Sequence, residues 1–376
     1  MSTVTYDLPP RMLSNYGLVV TNFSGVQQRV SSLTVGGLDF NGNLQQANVN
    51  FAFTASDLIF YIDNNDYRQK FEMSAMMELG TKIETSVASS IIPGTYRFYG
   101  DGVTPINSYG QLATALAYFR EYGSDNRNVR GYLANVAVPA IINSGLNQFA
   151  LDRNNEIANS WQLGTFDNCE WYKSNLLPVQ NAGTVGNSAQ TLTLISVDAT
   201  GTILTFSGAT PGDANAVKAG DLFQFQDGVT GQTNIRFLTF IGHAPCASPV
   251  QFGAVSNAAA DGSGHVVVTS NVALLSDATN VNYNLSTALA AGMQVKALPT
   301  HRAGVIYSGD AFFLGMPMLP DQAPFYTANE ADEGSGVSMR MTTGSQFGQN
   351  STGTIYDCIW GANLEGNYSM RVAFPL

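Results

Sequence analysis

The spacing of apolar positions changes along this chain, and each change marks a different kind of element. Residues 1–50 keep no sustained period. Leu8, Pro9 and Pro10, with glycines at 17, 25, 36, 37 and 42, predict an extended arm. From 49 to 62 the chain alternates through Val49, Phe51 and Phe53, the period of a strand with one covered face. DNND at 63–66 predicts a turn, with Asp66 placed to cap the next element. The period then becomes three and four through Met73, Met76, Met77, Ile83, Val87 and Ile91, which predicts a helix from Tyr67 to Ile91 ended by Pro93 and Gly94. Such a helix is roughly 35 Å long, a spine and not a connector. The three methionines are assigned to its core face, and Gly80 predicts a close approach at its middle.

A second helix is predicted from Ser108 to Tyr122, where Ser108 and Gln111 have capping-box spacing and Leu112, Leu116 and Phe119 form the apolar face. A strand from Arg130 to Val138, a helix opening at Pro139 and an amphipathic helix over about 151–163 come next. Then the character changes. No glutamate occurs between Glu170 and Glu330, and the basic residues from 184 to 300 are Lys218, Arg236 and Lys296. Short β-type runs recur there: TLTLISV, TILTFSG, DLFQFQ, IRFLTFIG, GHVVVTS, VNYNL and MQVKAL. Residues 184–300 therefore read as an all-β, barrel-like domain inserted into an α+β domain that resumes with YSGDAFFLGMPML at 307–319. The C-terminal TIYDCIWGANLEGNYSMRVAFPL reads as two strands, 354–360 and 368–374, locked into a sheet or covered by another subunit.

Composition sharpens this picture. Apolar residues make up 44% of the chain but charged ones only 12%, about half the roughly 25% of an ordinary globular protein. A lightly charged surface protects weakly against association, which favours a surface largely covered by other subunits. The net charge is −11, and no run of Lys or Arg supplies the basic stripe that nucleic-acid recognition needs. The longest mostly apolar stretch, Tyr132 to Ile142, is too short to span a bilayer, and the N-terminus has no secretory h-region. Three widely spaced cysteines, Cys169, Cys246 and Cys358, read as reduced thiols in a cytosol-assembled protein.

Candidate chemistry is sparse. Asp63 and Asp66 invite a calcium-loop reading, but the sixth and twelfth positions would be Arg68 and Ser74, where Gly and Glu are needed. His243, Cys246 and His265 offer three zinc ligands without paired spacings, and two loop residues in the β-insert are the better reading. Nucleophile elbow, Walker loop and Gly-x-Gly-x-x-Gly are all missing from the sequence. The aromatics lack neighbouring basic residues and read as core and interface. The expectation is a protein that is not an enzyme and carries no cofactor or metal.

The order of these pieces resembles the major capsid (coat) proteins of tailed bacteriophages, with the capsid fold of the HK-ninety-seven type. More particularly it is similar to the short-tailed-phage coats that carry an inserted β-barrel. The residues that carry the resemblance are AGDLFQF at 219–225, YSGDAFFLGMPML at 307–319, and VSMRMTTGSQFG…TIYDCIWGANLEGNYSMRV. Ile359-Trp360-Gly361 stands where that family usually has Leu-Tyr-Gly.

The resemblance implies an N-terminal arm (1–45), an extended β-loop (46–66), a peripheral domain with the spine helix (67–99), an axial domain (100–183), the inserted β-domain (184–300), and a return through the axial and peripheral domains (301–376). It implies hexamers and pentamers of this chain in an icosahedral shell around double-stranded DNA, held without sequence-specific contacts. It also implies a scaffolding protein, a portal and assembly in the host cytoplasm. By layout, the subunit interface would include Phe51, Phe53, Phe60, Tyr61, Asp63, Asp66 and Arg68. The rival readings are a β-rich tail-associated or carbohydrate-binding protein, and a hydrolase with an appended β-domain.

Overall fold

The computed structural model describes residues 2–12, 26–54, 65–123, 127–143, 162–226, 235–309, 311–321, 326–332, 336–345 and 351–376. Its elements begin with β1 (Ser2–Met12), β2 (Val26–Val35), β3 (Gln46–Thr54), α1 (Asn65–Ser89), α2 (Ile91–Gly94), β4 (Phe98–Tyr99) and α3 (Tyr109–Glu121). β5 (Val129–Ala134), α4 (Val138–Asn143), β6 (Gln162–Phe166), β7 (Cys169–Ser174), β8 (Val179–Gln180) and α5 (Thr184–Asn187) lie beyond them. Next come β9 (Thr191–Val197), β10 (Ile203–Ser207), β11 (Leu222–Phe225), β12 (Arg236–Leu238), β13 (Pro245–Pro249), β14 (Gln251–Gly253), β15 (Val266–Thr269) and β16 (Gln294–Ala297). The chain closes with β17 (His301–Tyr307), β18 (Phe312–Gly315), β19 (Tyr326–Asp332), β20 (Val337–Ser345), β21 (Ser351–Ile359), β22 (Gly361–Leu364) and β23 (Ser369–Phe374). Two compact units result: Met1–Tyr6, Ser31–Ser90 and Phe313–Asn363 form one, and Asp7–Val30, Ile91–Phe312 and Leu364–Leu376 the other.

In the first unit α1 lies on an antiparallel sheet ordered β19-β20-β21-β3. β3 alternates strictly: Ala47, Val49, Phe51 and Phe53 are half-buried, while Gln46, Asn48, Asn50, Ala52 and Thr54 are exposed. The face that α1 buries runs through Ala75, Leu79 and Ile83, spaced by four, against Tyr356, Cys358 and Trp360. Met73, Met76 and Met77 fall on the remaining circumference and are exposed, Met77 by 71%. The expected methionine core is therefore corrected. Both residue sets obey the helical period, and the sheet took the one with smaller and branched side chains. Gly80 is also corrected, because a methyl group there would meet no atom within 4 Å. Trp360 ties the unit together: its amide donates to the Gln45 carbonyl at 3.0 Å, and its indole donates to Ser86 Oγ at 3.0 Å.

The second unit holds a mixed sheet ordered β4-β23-β17-β5-β7-β6, with β8 pairing β17. β23 is buried at every position, between β17 (antiparallel) and β4 (parallel). The terminal segment is thus locked within the chain's own sheet. The two predicted C-terminal strands are not one hairpin, since β21 belongs to the first unit's sheet. α3 covers its apolar side with Leu112, Ala115, Leu116 and Phe119. As expected, Ser108 Oγ accepts from the Gln111 amide at 3.3 Å; Gln111 Oε1 accepts from the Asn107 amide at 2.9 Å.

The β-rich stretch pairs antiparallel in the order β14-β11-β16-β9-β10-β15. A bridge between Ala254 and Ser270 joins the two edges, so the ring of pairings closes. Its interior stacks Phe206, Phe223 and Phe252, the last two with centroids 5.1 Å apart. Six of the seven predicted β-runs contain a strand; VNYNL contributes only the bridge of Leu285 to Phe237. β13 and β14, broken by prolines in the sequence, were not anticipated. Nor were β1 and β2, which pair in a two-stranded ribbon inside the predicted arm. The strand expected from Arg130 to Val138 ends at Ala134, and the helix expected over 151–163 lies outside the described residues except at Gln162 and Leu163, which begin β6.

Candidate assembly surfaces

Buried polar chemistry in the second unit is spent on holding strands, not on exposing a reactive group. Arg371 of β23 is fully buried. Its Nε donates to Thr95 Oγ1 at 2.9 Å, Nη1 to the Gly220 carbonyl at 3.1 Å, and Nη2 to the Ile92 carbonyl. His301 faces it, with Nε2 3.4 Å from Nη1 and Nδ1 2.7 Å from the Pro299 carbonyl. The proton therefore sits on Nδ1 and Nε2 accepts. Burial, and then the adjacent guanidinium, lower the His301 pKa to about 4. Burial lowers Arg371 to about 9, against the pull of Asp221, so it stays charged at neutral pH. Burial raises Asp221 even though Lys218 N, Gly183 N and Gln180 Nε2 all donate to it.

The thiols are likewise inert. All three cysteines are unpaired and buried, and burial pushes Cys169 up to about 12 and Cys246 and Cys358 to about 11. His243 stacks on Tyr283, Cys246 is buried, and His265 sits exposed beside Asp261. Among the described residues no group of three or more His, Cys, Asp or Glu side chains is placed to hold a metal ion. A groove of about 570 Å³ opens beside Phe98, Asp101, Asn187, Gln224 and Lys296, with no nucleophile and base converging on it.

What the molecule offers outward is apolar surface on regular elements. On α1, Met73, Met76 and Met77 are exposed beside one another. On the ribbon, β1 buries only Leu8 and Arg11, while Val4, Met12, Val26 and Val30 stand in solvent. β3 is an edge strand, pairing with β21 on one side.

The residues assigned to the subunit interface divide three ways. Phe51 and Phe53 lie on the covered side of β3, in an aromatic cluster with Phe71 and Tyr356, 5.3 Å from each other and 6.0 and 5.4 Å from Phe71. Asp66 and Arg68 lie in the first turn of α1, which starts at Asn65; Asp66 is thus inside the helix and not its cap. Phe60, Tyr61 and Asp63 lie outside the described residues. Sequence reasoning missed the methionine face and the Arg371–His301 pair.

A family model described as "P22 coat protein - gene protein 5" matches residues 174–367, just over half of the chain. Among solved structures the chain is similar to the capsid of Ralstonia phage GP4 at 7% identity and a TM-score of 0.45, covering 99% of this chain and 83% of that one. It is also similar to a structure from Mycobacterium phage Che8 (8% identity, TM-score 0.43, 99% and 83% covered) and to the capsid of the cyanophage P-SCSP1u (10%, 0.41, 99% and 82%). No curated protein matches it significantly.

Proposed function

Because the chain belongs to the P22 coat protein family, we propose which of its surfaces build the shell that such a protein forms. It is a structural major capsid protein of a tailed phage, it self-assembles, and its place is the virion. The arm (1–45), the extended loop (46–66) and the spine helix supply contacts between subunits, with Phe51, Phe53, Phe60, Tyr61, Asp63, Asp66 and Arg68 near them. Residues 100–183 and 301–376 form the axial body, and 184–300 an inserted β-domain. We read the chain as having no catalytic activity, as assembling in the host cytoplasm with a scaffolding protein and a portal, and as enclosing DNA without reading its sequence.

The observation that carries the surface assignment is the helix α1. It buries a narrow stripe of Ala75, Leu79 and Ile83 and turns Met73, Met76 and Met77 outward. A patch of flexible thioethers adapts to slightly different neighbours, as quasi-equivalent positions in a shell require. The test is Met77→Asp in the full chain, co-expressed with its genomic neighbours. Circular dichroism and unfolding should match the wild type, while light scattering and negative-stain imaging show loss of closed shells. Wild-type shell yield from the folded variant would remove α1 from the interface.

A further inference from the structure

Among the described residues, the second unit gathers three buried arginines around one carboxylate where the ribbon meets the body. Arg11 of β1 is 7% exposed and Arg97 is 3% exposed. Arg29 of β2 is mostly buried as well. The guanidinium carbons of Arg11 and Arg29 each lie 5.2 Å from the centroid of the Phe240 ring. Arg97 lies 4.0 Å over Tyr122, whose ring is 6.1 Å from that of Phe240. The carboxylate on this cluster is Glu365, and it is already engaged: Arg29 Nη2 donates to its Oε1 at 3.0 Å, and Asn367 Nδ2 donates to the same oxygen at 3.2 Å.

Among the described residues several of the remaining donors find no acceptor. Arg11 Nη2 donates to the Tyr283 carbonyl at 3.1 Å and faces His243 Nδ1 at 3.4 Å. His243 Nε2 is buried without a partner among the described residues, and so are Arg11 Nε, Arg29 Nη1, and Arg97 Nε and Nη1. The guanidinium nitrogens among these are all donors. Ring contacts satisfy the faces of guanidinium groups but not their N–H rims. Buried cations are ordinarily paired, and a buried donor without an acceptor is costly. Unmatched guanidinium charge beside orphaned N–H rims is the complement of an anion with several acceptor oxygens.

We propose that the Arg11–Phe240–Arg29 cluster, backed by Arg97, binds one compact oxyanion of the phosphate class. The orphaned nitrogens are buried, out of reach of a nucleic-acid backbone whose phosphates sit on a stiff, wide cylinder, so the ligand that fits them is a small free ion. Since Arg11 and Arg29 lie on paired strands, the bound ion fastens the β1–β2 ribbon to the body of its own subunit. It therefore sets how freely the ribbon leaves to make other contacts.

The test uses the soluble full-length chain, inorganic phosphate as the probe, and sodium chloride at matched ionic strength as the reference. Titration calorimetry should give a saturable phosphate isotherm, and hydrogen exchange in residues 7–12 and 26–30 should slow only in phosphate. Arg11→Gln and Arg29→Gln should each weaken binding by roughly tenfold or more, the loss of one charge-assisted contact. Arg11→Lys, which keeps the charge without the fork, should fall between. Arg130→Gln, on β5 and paired with Glu170, should change nothing. Absence of a phosphate isotherm, or an isotherm unaltered by both glutamine variants, overturns the proposal. So does ribbon protection that rises with protein concentration and ignores phosphate, which assigns the site to a carboxylate of a neighbouring subunit.

Discussion

The two units of this chain hold themselves together by unequal means. Among the described residues, the ring of β9 to β16 and its surroundings close over 26 buried apolar residues, stacked Phe206, Phe223 and Phe252 among them. The sheet under α1 gathers six among the described residues: Ala75, Leu79, Ile83, Tyr356, Cys358 and Trp360. On the other side of the helix α1 shows Met73, Met76 and Met77 to solvent. Among the described residues the larger core thus belongs to the second unit, and the exposed methionine face of a helix to the first. In a protein whose work is to join copies of itself, that division gives assembly a surface whose alteration leaves the body intact.

The largest effect that would break this contrast is in the ring. Phe223→Ala should lower subunit stability by about 4 kcal/mol through lost burial and the cavity left between Phe206 and Phe252. Urea unfolding of the soluble subunit, with exchange rates resolved over β9 to β16, would check it. A loss confined to the first unit would contradict the division.

Next in size is the acid response of the second unit. With His301 held to about 4 in the fold and near 6.5 when unfolded, the unfolded chain binds the extra proton first. The contribution is present above pH 6.5 and is lost progressively as pH falls toward 4, about 3 kcal/mol in all. His301→Gln should flatten the stability–pH curve across that window, measured by urea midpoints. A wild-type slope in the variant would place the acid sensitivity elsewhere.

Smaller again, Trp360→Phe should cost about 1 kcal/mol by stripping Ser86 Oγ of its indole donor, visible as faster exchange in α1 alone. Smallest is Met77→Asp, within about 0.5 kcal/mol for folding while shell formation is lost. If it unfolded the subunit instead, the methionines would be core after all.

The sequence reading succeeded where one residue class had one local option. Ser108 and Gln111 capped α3 because their side chains reach the first free amides in no other way. The β-runs from Thr191 to Ala297 were legible because alternation between turn residues admits few alternatives. It failed where two faces obeyed the same period. Around α1 both the Ala75–Leu79–Ile83 stripe and the methionines recur every three or four residues, and only the sheet chooses between them. β1 and β2 were invisible for a related reason: a ribbon that buries little has no hydrophobic period to display. The aromatic residues of β3 were rightly placed on a strand, yet Phe51 and Phe53 turn toward Phe71 and Tyr356 within the unit. The cluster of Arg11, Arg29 and Arg97 joins positions from three separate segments, and no local pattern signals such a meeting.

The placement of β23 also bears on the order of events in time. Its pairs are Arg302 with Phe374 through Tyr307 with Ser369 on one side, and Arg371 with Phe98 on the other. During synthesis β4 and β17 leave the ribosome well before the strand that belongs between them. Each must wait with an unpaired edge, and Ile92 and Gly220 with unfilled carbonyls, until Arg371 arrives. The sheet therefore closes as a late, long-range step, slow relative to local helix formation. In that interval nascent subunits are exposed to mispairing through the same open edges, a hazard that grows with the rate of expression.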